Sequence, residues 1–89
     1  MKTNDRVMLV RFNGSSEAPT DIDPNHNYWQ LIGKIGAIVD DNRSGGFSMH
    51  DGFTRMLIQF DVNLDNLGLE NHNDTKNSLW MRNADLMPA

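Results

Sequence analysis

Residues 32–40 read Ile-Gly-Lys-Ile-Gly-Ala-Ile-Val-Asp, and no other stretch restricts the fold as much. Ile35, Ala37 and Val39 alternate with Gly36 and Ile38, the period-two pattern of a strand with a buried face. Gly33 and Gly36 weigh against a helix and suit a sharp bend or the close approach of another backbone. The segment is therefore expected to be a bent central strand, which needs partners on both sides.

The rest of the chain offers those partners. Residues 6–12 are rich in strand formers, with Val7 and Leu9 on one face and Met8, Val10 and Phe12 on the other. Asn13-Gly14 closes this run with a turn signal. In residues 54–61, Met56, Ile58 and Phe60 face one way and Arg55, Leu57 and Gln59 the other, which marks another strand. Residues 78–82 carry Leu79 and Trp80 as a short strand; Asn83-Ala84-Asp85 suits a 3₁₀ turn, and Leu86-Met87 a last strand. Between these lie two long polar loops, 13–27 and 63–77, and a glycine-rich connection over 41–52, where Phe47 and Met49 suggest a weak hairpin extension. Loops of such length are uncommon in compact domains and usually functional or mobile. The first has almost nothing to bury, whereas Leu64, Leu67 and Leu69 let the second cover one end of the core. Five short strands without a helix to cover their edges predict an all-β domain spanning residues 1–89, a small five-stranded barrel with a C-terminal 3₁₀ turn. The alternative is an open, strongly twisted antiparallel sheet.

Charge and composition narrow the function. A net charge of −4, with the basic residues spread singly, weighs against nucleic acid, whose binding rests on Lys and Arg neutralising phosphates. With no cysteine there is neither a disulfide nor a thiolate metal cluster. No apolar run approaches the roughly 18 residues a membrane span needs, and the polar start does not resemble a signal peptide. A soluble, cytoplasmic protein is the expectation.

Catalytic patterns are absent. The serines lie in flexible or polar loops without a Gly-x-Ser-x-Gly elbow, and Ser44-Gly45-Gly46 lacks the spacing of a phosphate loop. Residues 21–27 place oxygens like the start of a calcium loop, but His26 stands where that motif needs glycine and Ile32 where it needs glutamate. His26, His50 and His72 all lie in polar loops with no helical metal spacing, so solvated histidines are expected, with no metal and no cofactor. No enzyme is expected. The aromatics bordering the loops remain. Tyr28 and Trp29 either anchor the first loop or stand at its base as a contact surface. Core packing is the commoner duty for Trp80, although tryptophan is also a frequent interface anchor.

The order Asp5-Arg-Val-Met-Leu-Val, Tyr28-Trp29, Gly33-Lys-Ile-Gly36-Ala-Ile-Val, Met56-Leu-Ile-Gln-Phe60-Asp and Leu79-Trp80 to Asp85-Leu86 resembles the SH3-like small barrels. Within them it is most similar to the photosystem I accessory subunit PsaE and the variable chain of ferredoxin–thioredoxin reductase; residues 33–39 also resemble KOW-type barrels. The electron-transfer likeness implies a non-catalytic scaffold beside a redox partner, with Arg11, Lys34, Arg43, Arg55 and Arg82 as basic contributors. The expected function is accordingly a non-enzymatic accessory module that binds another protein. Its contacts would come from residues 13–29, the 41–52 connection and Trp80, with Tyr28, Trp29, Arg43, Phe47 and Trp80 as the contact residues. A KOW-like RNA- or ribosome-binding module is the competing class, and a small-ligand site near Trp29 would require a pocket.

Overall fold

In the computed structural model, which describes residues 1–89, five strands form one antiparallel sheet. They are β1 (Arg6–Leu9), β2 (Ile35–Asp40), β3 (Arg55–Phe60), β4 (Ser78–Arg82) and β5 (Leu86–Pro88), ordered β4-β3-β2-β1-β5. The remaining regular structure is 3₁₀, at Pro24–His26, Tyr28–Leu31, Leu64–Leu67 and Asn83–Asp85, and no helix is long and apolar enough to cross a membrane.

The expected closed barrel is not what the hydrogen-bonded ladder makes. β4 and β5 are its two edges and do not pair, so the sheet is the open, twisted alternative. It is nonetheless strongly curled. Five flat strands about 4.8 Å apart would hold the outer two roughly 19 Å from each other. The chain from Arg82 to Leu86, through the turn Asn83–Asp85, reaches at most about 14 Å. Closure is limited by β5, which has three residues and ends in Pro88, a residue with no N–H to give a ladder.

Two features of β2 produce the curl. Between Ile38 and Asp40 it carries one residue more than β3 opposite, a bulge that bends the strand. Gly36 lies opposite Phe60, and a Cβ there would stand 2.5 Å from the Gln59 carbonyl oxygen and 2.9 Å from the Phe60 Cα. The glycine thus permits a close strand crossing.

β1 ends at Leu9, earlier than its apolar run suggests, because the Val10 N–H turns to the Asp85 carbonyl at 2.9 Å. Phe12 then pairs with Ser15 around Asn13 and Gly14, whose φ values of 51° and 78° suit the tight turn expected there. Phe47 and Met49 add no strand. The Asn42 side chain instead accepts from the Phe47 N–H at 3.0 Å and donates to the Phe47 carbonyl at 2.8 Å, fixing a loop.

The core lies on the concave face, where Val7, Leu9, Ile38, Met56, Ile58, Phe60, Leu79, Met81 and Leu86 are buried. Loop residues complete it: Tyr28 and Leu31 from the β1–β2 connection, Leu64 and Leu69 from the β3–β4 connection. Leu67 is half-buried against that cluster. The two long loops thus contribute differently, and residues 15–21 bury no side chain. Shortening the segment 15–21 while keeping Ser15, which pairs with Phe12, should leave stability nearly unchanged, since loop-closure entropy varies slowly with length. Replacing Leu67 and Leu69 with serine should cost about 3 kcal/mol or more, by opening the core and stranding hydroxyls beside it. Amide hydrogen exchange checks both, with fast exchange expected over 15–21 and protection at the Leu69 N–H, which donates to the Leu64 carbonyl at 2.9 Å.

Candidate functional site

On β4, Leu79 and Met81 are buried, so strand alternation turns Trp80 and Arg82 to the convex face. Across the ladder, Trp80 lies opposite Leu57 and Arg82 opposite Arg55. Trp80 is therefore not a core residue. Its half-buried indole stacks on Phe47 with centroids 4.4 Å apart and planes 8° from parallel. Beside this stack the Arg82 guanidinium lies 3.7 Å over the ring of Phe53, a cation–π contact. Phe53 and Met49 remain 48% and 50% exposed.

Two guanidiniums facing each other across strands would repel, and Asp51 offsets that repulsion. It accepts two hydrogen bonds from the buried Arg55, at 3.0 and 2.7 Å, and lies 3.9 Å from Arg82. This bidentate pairing holds the Asp51 carboxyl far below its ordinary value and raises that of Arg55. The ion pairs pin the end of the connection to β3 and set Phe53 beneath Arg82.

The expected contact residues fall into two groups. Phe47 and Trp80 come together in the stack, and Arg43 is exposed on the same connection, its Nε 3.3 Å from Asp41. Tyr28 and Trp29 belong to a second group around Phe12, at centroid distances of 5.7 and 4.7 Å. Tyr28 anchors its loop rather than offering a contact: it is buried, and its hydroxyl donates to the Glu70 carbonyl at 2.9 Å. Trp29 is half-buried, edge-on to Phe12. The Asn13-Gly14 turn borders both groups, because Gly14 packs so near Arg82 that a Cβ would stand 3.2 Å from its Nη1. Phe53, Arg82, Asp51 and Arg55 join the surface without having been expected as a cluster. The pattern of β3 and β4 places Arg55 and Arg82 on the convex face, but only the ladder register sets them opposite each other.

Seven of the eight Lys and Arg residues lie within ion-pair distance of a carboxylate, Lys34 being the exception. The Arg6–Asp61 and Arg11–Asp85 pairs are typical. No pocket opens near Trp29 or elsewhere on the surface.

A different cluster joins the long loops. His26 Nε2 lies 3.0 Å and His72 Nε2 3.6 Å from the same oxygen of Glu70, with the imidazole centroids 5.7 Å apart. Asn25 donates to the other Glu70 oxygen at 2.8 Å. The contact with His26 is the main reason that the Glu70 carboxyl titrates below its ordinary value. His50 lies apart, exposed on the β2–β3 connection. No protein-family model, curated protein or solved structure matches the chain.

Proposed function

We propose that the chain is a non-enzymatic module that binds another protein through the convex face centred on the Phe47–Trp80 stack. Its SH3-like character rests on the strand order and on the 3₁₀ turn between the last two strands, and an accessory-subunit role accords with it. The observation that carries the reading is the outward placement of Phe47, Trp80 and Phe53 around Arg82 on a face without a pocket. Aromatic and arginine side chains dominate the energetics of protein interfaces. Trp29 extends this surface across the Asn13-Gly14 turn, while Tyr28 supports it from within. The pairing of nearly every cation with a carboxylate favours a protein partner over a phosphate backbone.

Two variants separate binding from folding. Phe53→Ala removes a half-exposed ring and should change stability by no more than about 1 kcal/mol. Trp80→Ala removes the stack as well. Both should weaken capture of a discrete protein from native cell extract at least tenfold, while circular dichroism stays native. Capture that both variants preserve would move the interface elsewhere. RNA binding that falls steeply with salt would replace the protein reading by the KOW-like one.

A further inference from the structure

We propose that His26, Glu70 and His72 form a binding site for a divalent transition-metal ion, best matched by zinc. One ring nitrogen of each histidine and a carboxylate oxygen of Glu70 all lie within 4.8 Å of one another. Tetrahedral zinc, about 2.0–2.1 Å from each ligand atom, needs those atoms roughly 3.3 Å apart. The two short separations, 3.0 and 3.6 Å, already bracket that spacing. Only the two imidazoles have to draw closer, and both are side-chain rotations at a half-exposed surface.

The backbone beneath the ligands is held from several sides. Pro24 fixes the first position of the short turn that carries His26. The Glu70 N–H donates to the Asn25 carbonyl at 3.0 Å, and the Glu70 carbonyl accepts from Tyr28. The Asn25 side chain holds one carboxylate oxygen, leaving the other turned to the histidines. Such an outer hydrogen bond orients a metal-binding carboxylate. Two neutral imidazoles and one carboxylate suit zinc and its neighbours, whereas magnesium and calcium prefer oxygen ligands throughout. The ligands face solvent, which leaves the fourth position to water. A bound ion would clamp the two long loops together across a sequence separation of 44 residues between His26 and Glu70.

Thermal melting with zinc chloride at pH 7.5 tests the site, with magnesium chloride as control. At a zinc concentration about a hundred times the dissociation constant, the melting temperature should rise by roughly 10 °C or more. Magnesium should leave it unchanged. His72→Asn and Glu70→Gln should abolish the zinc shift, and His50→Asn should retain it. Calorimetric titration should give one ion per chain. In the unmodified protein, zinc should move the imidazole NMR signals of His26 and His72 but not those of His50, a readout independent of any variant's folding. No zinc shift, a shift that survives in His72→Asn, or equal perturbation of all three histidines would each overturn the site. None of these results bears on the Phe47–Trp80 face, so the two proposals fail separately.

Discussion

Gly36→Val is expected to destabilise the protein by about 3 kcal/mol or more, at the upper end of the cost of forcing extra atoms into a packed core. Valine has the better β propensity, and on an open strand the change would help. Here the first added carbon meets the Gln59 carbonyl oxygen at 2.5 Å and the Phe60 Cα at 2.9 Å. Backbone atoms of a paired strand do not rotate aside, so β2 and β3 must separate. Gly36→Ala should already show most of the loss, because the collision begins at Cβ. Urea unfolding followed by tryptophan fluorescence measures both variants. An unchanged midpoint for Gly36→Val would mean that the strands do not cross closely there.

Phe60→Ala is expected to cost about 3–5 kcal/mol, the range for large aromatic deletions from a core. Phe60 is 3% exposed and stands directly opposite Gly36, filling the concave face beside the crossing. Domains of this length have total stabilities of order 5–13 kcal/mol, so the variant should lose a large share of its folded population's margin. Thermal denaturation checks this, and a native melting temperature for Phe60→Ala would place the ring outside the core.

These residues also mark where the sequence is legible. Gly36 inside an alternating run signals a close approach, and Met56, Ile58 and Phe60 share one parity opposite Arg55 and Gln59, so the central strands and their buried face follow from local pattern. β4 and the turn Asn83–Asp85 are equally local, since turn-forming residues punctuate a short apolar run. Closure was not legible, because pairing between β4 and β5 depends on how far the sheet curls and on the few N–H groups β5 presents. Nor was the facing of Trp80. Leu79, Trp80 and Met81 are all apolar, and alternation alone does not say which parity points inward. The Leu57–Trp80 register settles it by placing both on the convex side. The meeting of His26 with His72 lies further from local pattern still, since it depends on two irregular loops whose approach is fixed by Tyr28 and the Glu70 backbone.

The convex face as a protein-binding surface is tested most directly by site-specific photocrosslinking in the native cell. A photoreactive phenylalanine analogue at position 53 places the probe beside the Phe47–Trp80 stack, and the same analogue at position 20 places it in the polar first loop. One discrete protein crosslinked from position 53, weakly or not at all from position 20, and lost when Trp80→Ala is added is the predicted result. Crosslinks to RNA, or a protein captured only from position 20, would contradict the account.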